Sequence, residues 1–245
     1  MTGQNVDKLD TSGVERILCV VAHPDDLEYG ISCAVAAWTA AGLTVDYLLL
    51  TAGEAGMKRE PAVVGPLREQ EQRAACDIVG VDDLTVLDFP DGHMEPGLPA
   101  RKAIAAHIRR RRPNIVVTSN FDINAPWGFN HIDHRITGEA TGDAIRDADN
   151  RWSFPELVDA GLDPWKADRF LVGGVFHPDV WVDVTGEPLE KGIASLEAHK
   201  EYLADLPDHP EPRDMLTDMT AEAAARLGLD DQGVGNAMGF ISWDM

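Results

Sequence analysis

Residues 17–38 read ILCVVAHPDDLEYGISCAVAAW, and this stretch decides the predicted fold. The apolar run 17–21 is typical of a buried strand, and the small, apolar residues 31–38 are typical of a helix. The polar residues between them form a loop at the carboxyl end of the strand, where open α/β sheets bind ligands. That loop contains His23, Asp25 and Asp26, with a proline that stiffens its backbone.

The same alternation of strand and helix patterns continues along the chain. Strand-like runs are found at 44–51, 84–89, 114–120, 170–175 and 180–184, and helix-like runs at 29–41, 66–80, 98–112, 136–149, 187–204 and 219–227. Strand–helix–strand units imply parallel strands with right-handed crossovers. We therefore predict a single-domain α/β fold with a Rossmann-like, mainly parallel sheet and helices on both faces. The first helix is not opened by G-x-G-x-x-G, which excludes the dinucleotide-binding form of this sheet.

One domain is predicted for residues 1–245, because neither a repeat nor a clear boundary interrupts the pattern. Its core is expected to span residues 15–204. Residues 150–168, which contain two prolines and a glycine, are expected to form an irregular excursion beside the pocket. Residues 205–245 are expected to be a C-terminal decoration of that core.

Composition narrows the classes of partner. The 245 residues carry a net charge of −21, which argues against nucleic acid because its backbone requires a basic face. The basic run 109–112 ends a predicted helix and is expected to complement its dipole, with an anionic-substrate contact as the alternative. Three cysteines, none in a C-x-x-C pair, indicate reduced, buried thiols.

Membrane insertion is not expected, since the chain has no apolar run of the roughly 18 residues that a spanning helix needs. The polar N-terminus lacks the apolar centre of a signal peptide, and a cytoplasmic location is therefore expected. Whether the chain forms a homo-oligomer is left open by its sequence.

A second cluster of polar side chains, Asn130-His131-Ile132-Asp133-His134, follows the strand-like run 114–120. Either cluster alone could be a capped helix start with incidental histidines. Together they favour a metal site, because zinc prefers imidazole and carboxylate ligands and a catalytic zinc has three of them. Two such loops at one sheet edge can supply that set.

These motifs resemble the LmbE/PIG-L family of zinc-dependent N-deacetylases. The resemblance rests on His-Pro-Asp-Asp-x-Glu at 23–28 and His-x-Asp-His at 131–134. It is extended by T-x-G-E-x-G at 51–56 and R-x-x-E-x-x-A-A at 68–75, and it covers roughly residues 15–204. It implies that His23, Asp26 and His134 bind one zinc ion per chain, with ferrous iron as the alternative.

The resemblance also implies catalytic roles. Asp25 would be the general base, and His131 would stabilise the oxyanion or protonate the leaving amine, with Asp133 as its orienting partner. A carboxylate that takes a proton from a metal-activated water suits this chemistry on its own account.

Substrate contacts are implied for Arg68, Asp91, Glu54 and Phe129. Phe129 stands where some sugar deacetylases of the family have a tyrosine, which puts close identity with the mycothiol-pathway enzyme in doubt. An ordinary helix ion pair is the alternative for Arg68. A sugar ring could stack on one of Trp127, Trp152 and Trp165, although core packing or burial in an interface is the commoner fate of such residues.

The expected function is therefore removal of an acetyl or other short acyl group from a small-molecule amino-sugar conjugate, such as an N-acetylglucosamine derivative. Two alternatives stay open. One is an amidase that cleaves a larger acyl or thiol-conjugate amide, and the other is a non-catalytic metal- or sugar-binding protein. Asp25 argues against the second, because metal binding does not require it.

Overall fold

The computed structural model describes residues 6–245, and they form one large mixed sheet with helices on both faces. The strands are β1 (Asp7–Lys8), β2 (Arg16–Val21), β3 (Thr44–Leu49), β4 (Asp83–Val86), β5 (Ile115–Ser119), β6 (Asn124–Ala125), β7 (Gly128–Phe129), β8 (Arg169–Gly173), β9 (Val180–Asp183) and β10 (Ala237–Asp244). The helices are α1 (Asp26–Gly30), α2 (Ser32–Ala40), α3 (Pro61–Val79), α4 (Leu98–Arg111), α5 (Ile132–Asp149), α6 (Pro155–Asp159), α7 (Glu187–Glu197), α8 (Lys200–Ala204) and α9 (Pro212–Leu227). Every helix within residues 6–245 is too short or too polar to span a bilayer.

The order in which the chain adds strands to the eight-stranded sheet reverses at β2. The sheet runs β1-β9-β10-β8-β5-β2-β3-β4, and β2 pairs in parallel with both β3 and β5. The chain builds β3 and β4 on one side of β2 and then returns to build β5 on the other. A crevice opens between the carboxyl ends of two strands at such a switch point, and ligands bind there.

The apolar run that follows Arg16 is buried on both faces of the sheet, as expected for a central parallel strand. Ile17, Cys19 and Val21 pack toward α2, α3 and α7. Leu18 and Val20 pack on the opposite face, toward α4 and α5. The predicted α/β fold is confirmed, and the two buried faces hold the carboxyl end of β2 rigidly beneath the crevice.

The boundaries of several helices differ from the sequence-based expectation, which also included an irregular segment at 57–65. The predicted helix 29–41 is interrupted at Ile31, where φ is −142°, and it therefore becomes α1 and α2. The predicted irregular segment 57–65 instead contributes the first turn of α3, which begins at Pro61. Proline suits this position because the first helical residue has no N–H partner to lose.

The basic run at the end of α4 has a structural role. The buried guanidinium of Arg109 donates hydrogen bonds to the backbone carbonyls of Asp147, Ala148, Asn150 and Ser153. These carbonyls belong to the end of α5 and the start of the excursion, which also contains α6. Arg109 therefore ties the excursion to the core, and its side chain is not available to a ligand.

The C-terminal region requires a correction, because it is not a decoration. Strand β10 lies inside the sheet and runs antiparallel to both of its neighbours. Its first half pairs with β9 and its second half with β8, so that Phe240 lies opposite both Val180 and Gly173. The partners are distant in sequence, so local patterns in a glycine-rich tail did not indicate this strand.

Candidate metal centre and active site

Three side chains meet in the crevice at the switch point. His23 follows β2, Asp26 begins α1, and His134 lies in the first turn of α5, which follows β5. Nδ1 of His23 is 3.2 Å from Nε2 of His134 and 3.6 Å from Oδ1 of Asp26. The last two atoms are 3.0 Å apart. The two loops that the sequence singled out therefore meet within one cluster.

The hydrogen bonds of His23 leave a free lone pair on its Nδ1, which can bind a metal ion. Its Nε2 lies 2.9 Å from Oδ1 of Asp91 and 3.2 Å from Oδ2 of Asp133. Carboxylates can only accept, so Nε2 carries the proton and Nδ1 of the neutral ring does not. A carboxylate behind an imidazole is the arrangement that orients histidine ligands in metal sites.

The other two potential ligand atoms, Nε2 of His134 and Oδ1 of Asp26, are also left with lone pairs that face the cluster. Nδ1 of His134 donates to the side-chain oxygen of Asn130 at 2.9 Å, which leaves a lone pair on Nε2. The amide of Asn130 is held because its nitrogen donates to the carbonyls of Asn120 and Asp122. Oδ2 of Asp26 accepts two backbone N–H groups, and its Oδ1 is thereby left facing the histidines.

These atoms fit a divalent metal. Three lone-pair atoms that face one another at 3.0–3.6 Å lack a shared proton donor, whereas a cation between them satisfies all three. Ligands about 2.1 Å from a tetrahedral zinc are roughly 3.4 Å apart, which matches this triangle. Burial lowers the pKa of His23, but Asp26, Asp133 and Asp91 outweigh it and raise the pKa, so the site favours positive charge.

Asp25 lines the same cavity as the cluster but is not one of the potential metal-ligating residues, and its carboxylate contacts Arg68. Its φ of 83° is left-handed, a conformation that costs a non-glycine residue free energy and is found at functional sites. The strained backbone is held because its N–H donates to the side-chain oxygen of Gln72 at 2.9 Å. Oδ1 lies 3.1 Å from Arg68, while Oδ2 is buried without a partner.

The environment of Asp25 suits a proton acceptor. Burial raises its pKa, and the guanidinium of Arg68 opposes that change without cancelling it. Asp26 differs, because burial raises its pKa but His134 and His23 hold it well below its usual range. The two adjacent carboxylates therefore differ in their affinity for a proton, which is raised in Asp25 and lowered in Asp26.

His131, the residue before α5, lines the cavity, and its ring lies beside those of His23 and His134. Its Nδ1 accepts the backbone N–H of Asp133 at 3.3 Å, so a neutral ring carries its proton on Nε2. The predicted partner is corrected here, because the closest Asp133 carboxylate oxygen is 4.0 Å away, beyond hydrogen-bonding distance. Asp133 instead accepts from the N–H groups of Gly92 and Met94 and supports His23.

Three of the four predicted substrate contacts, Arg68, Asp91 and Glu54, brace the active-site loops. Arg68, 3% exposed, donates to the carbonyls of Gly53 and Pro24 as well as contacting Asp25. Oδ2 of Asp91 accepts the N–H of Ala55, and Glu54 accepts the N–H of Asp91. Arg68 and Asp91 also line the cavity, and their contact with substrate stays a prediction.

Phe129 and His177 lie apart from this centre. The ring of Phe129 is 77% exposed and is not among the residues that line the cavity, so its position does not support the expected substrate contact. His177 is exposed and belongs to neither of the potential metal-ligating groups among residues 6–245. The echo of the first motif at 177–179 therefore does not mark a metal site.

A cavity of about 720 Å³ opens over the metal centre and is lined by His23, Asp25, Asp26, His131 and His134. Its remaining wall includes Tyr29, Trp127, Tyr202, Met215 and Met219. Sequence reasoning named only Trp127 among these five. The two methionines are four residues apart on α9, and this spacing was the one signal that a face of that helix could line a site.

The carboxylate behind His23 provides a first test of the site. In Asp91→Asn the amide oxygen keeps the bond from Ala55, and the amide nitrogen then faces Nε2 of His23. The amide nitrogen and the N–H at Nε2 of His23 would then be two donors facing each other. This favours the tautomer of His23 with its proton on Nδ1, and that Nδ1 cannot bind metal. We expect zinc affinity to fall about 10–100-fold, measured by competition with a chromogenic chelator. Asp88→Asn, an exposed change nearby, is the control, and equal affinities in the two variants would contradict this role.

Comparison with known proteins assigns this arrangement to a family. A family profile described as "PIG-L: GlcNAc-PI de-N-acetylase" matches residues 18–145, a stretch that contains both metal-binding motifs. The chain belongs to the PIG-L family. The resemblance inferred from its motifs is thereby confirmed.

Individual relatives of this PIG-L protein are deacetylases of N-acetylglucosamine derivatives. It is 30% identical over 193 residues to a diacetylchitobiose deacetylase of Thermococcus kodakarensis, covering 76% of this chain and 70% of that one. It is 26% identical to a 1D-myo-inositol 2-acetamido-2-deoxy-alpha-D-glucopyranoside deacetylase of Rhodococcus erythropolis, covering 93% and 79%. The N,N'-diacetylchitobiose deacetylase of Pyrococcus horikoshii has the same fold, with a TM-score of 0.81 at 20% identity over 96% of this chain and 85% of that chain.

Proposed function

We propose that this PIG-L protein is a zinc-dependent N-deacetylase that releases acetate from an amino-sugar conjugate. The observation that carries the proposal is the buried, unpartnered Oδ2 of Asp25 beside the cluster of His23, Asp26 and His134. A protein that only bound metal or sugar would have no use for a strained carboxylate of this kind. Family membership and the named activities of the relatives supply the substrate class.

A divalent ion held by His23, Asp26 and His134 would supply Lewis acidity and lower the pKa of a bound water. The side chain of Asp25 accepts the proton of the attacking water on Oδ2, while Arg68 holds Oδ1 and fixes the direction of that oxygen. The same oxygen then delivers the proton to the departing nitrogen. Because burial raises its pKa, Asp25 is a better proton acceptor than a solvent-exposed aspartate and can return that proton later in the reaction.

Nε2 of His131 faces the cavity as a hydrogen-bond donor and is placed to stabilise the developing oxyanion. Burial and the neighbouring His23 lower the pKa of His131, which favours the neutral ring in the resting site. A donor that is in position before the reaction requires no rearrangement as charge develops.

Zinc is proposed as the metal because two imidazoles and one carboxylate are a common catalytic zinc set. Ferrous iron is the alternative, and the same ligands accept it. The comparison of protein loaded separately with each metal decides between them, since the more active form at equal occupancy identifies the effective ion.

The test is an assay of amine and acetate release from methyl N-acetyl-β-glucosaminide by zinc-loaded protein. We expect both products in equal amounts, and loss of both after chelation of the metal. A matched substrate with a benzoyl group in place of acetyl distinguishes a deacetylase from an amidase of larger acyl groups. If no amine is released from either compound by either metal form, the proposed function is refuted.

A further inference from the structure

The cavity extends beyond the metal centre along an apolar wall, defined as Tyr29, Trp127, Tyr202, Met215 and Met219. The wall begins next to the ligands, because the rings of Trp127 and His134 meet edge to face with centroids 6.4 Å apart. Three different parts of the fold supply it: α1, the β6–β7 hairpin and the α8–α9 segment. No part of the proposed chemistry uses these side chains.

Packing and a hydrogen bond hold the side chains of the apolar wall in place. Leu216, which lies between the two methionines in sequence, is fully buried, and both methionines pack against the same core cluster. The hydroxyl of Tyr29 lies 2.6 Å from Nε2 of His209, which joins α1 to the segment before α9. Trp127 packs closely on Gly174, where an added Cβ would lie 2.9 Å from its ring.

Charge along the cavity is distributed unevenly. Among the described residues that line it, Arg68 is the one guanidinium or ammonium group, and both of its terminal nitrogens are occupied by carbonyls and Asp25. Lys58 and Arg59, which follow the loop that lines the cavity, pair with acidic residues of the α8 region. An anionic group that lies against the apolar wall would therefore find no free guanidinium or ammonium group among the described residues that line the cavity.

We propose that the apolar wall is a subsite for an uncharged, apolar substituent on the amino sugar, and that substrates with an anionic substituent are disfavoured. This inference rests on the proposed deacetylase function, because it names the group that accompanies the acetylated sugar. Flexible, polarizable methionines suit an alkyl or aryl group whose shape varies. The aromatic rings add flat surfaces on which an uncharged group can stack.

Burial of apolar surface sets the size of the expected preference. A fully buried methylene improves binding about fourfold, and an alkyl chain along a partly open wall realises only a part of this. We therefore expect octyl N-acetyl-β-glucosaminide to exceed the methyl glycoside at least about tenfold in kcat/KM. N-acetylglucosamine with a phosphate on its anomeric oxygen should fall at least about tenfold below the methyl glycoside.

A charge placed on the wall tests its location. Met219→Arg should reduce the octyl-to-methyl ratio of kcat/KM severalfold and raise the relative turnover of the phosphate. Ala225→Arg adds the same charge at an exposed position of the same helix and is the matched control, with the wild-type ratios expected. Equal octyl-to-methyl ratios in wild type and Met219→Arg would overturn the proposal.

A binding measurement separates this inference from the proposed function. Octyl and methyl β-glucosaminide, the free amines, cannot be deacetylated, and calorimetry measures their affinities for the zinc-loaded protein directly. Tighter binding of the octyl amine, lost in Met219→Arg, supports the subsite whether or not the acetylated sugars are hydrolysed. Equal affinity of the two amines overturns the subsite, even if both acetylated glycosides are hydrolysed and the deacetylase function stands.

Discussion

Asp25→Asn is expected to lower kcat by about 100- to 10,000-fold while the metal stays bound. The asparagine oxygen can still accept from Arg68, so the buried guanidinium keeps its contact. The amide cannot accept a proton, so the water loses its base. Asparagine also tolerates the left-handed backbone of this position at least as well as aspartate, and the thermal stability should therefore be maintained or raised.

Three measurements on the Asp25→Asn protein decide the role of this carboxylate. Steady-state release of amine gives kcat, elemental analysis gives metal per chain, and thermal unfolding shows that the fold is intact. A variant that keeps more than about a tenth of the wild-type kcat would exclude Asp25 as the base. Loss of stoichiometric metal would instead move Asp25 into the ligand set.

Removal of either histidine ligand is expected to abolish metal binding. His23→Ala and His134→Ala each leave two protein ligands, and a stable catalytic site needs three. The carboxylates of Asp91 and Asp133 would also lose the donor of His23, so the first variant removes more than one contact. We expect the zinc content to fall from one ion per chain to below about a tenth.

The matched control is His177→Ala, which removes an exposed histidine from a sequence that echoes the first motif. Its zinc content and activity should equal those of the wild type. If His134→Ala retained a full complement of zinc, the triangle of His23, Asp26 and His134 would not be the metal site. The potential group of His23, His131 and Asp133 would then be the next candidate.

The meeting of His23, Asp26 and His134 could be predicted because these potential ligands lie in two short, contiguous motifs. His23 and Asp26 are three residues apart, and His134 lies on the first turn of a helix that follows a buried strand. Parallel strands bring such loop ends to one edge of a sheet, so the meeting of the two motifs follows from the predicted topology. Contacts of this kind depend on backbone geometry that local patterns encode.

Side-chain partners across the site could not be predicted in the same way. The contact of Asp91 with His23 was not predicted, although Asp91 also lines the cavity as expected of a substrate contact. Asp133 was expected to orient His131, and its carboxylate instead lies within hydrogen-bonding distance of His23. Which acceptor an imidazole N–H reaches depends on ångström-scale positions of loops distant in sequence. The apolar wall was missed for a related reason, because α9 reaches the cavity only through packing against the core.

The placement of β10 determines when this protein can become functional during its synthesis. β8 and β9 leave the ribosome long before the strand that lies between them, so neither can acquire its native neighbour on that side. Until then the nascent chain exposes two open strand edges, which are templates for aggregation. The proposed metal ligands are translated early. The sheet that supports α9, and with it the apolar wall, is complete only after residue 244 has emerged. A premature stop in this last strand should therefore yield aggregated chains, even though every proposed catalytic residue is present.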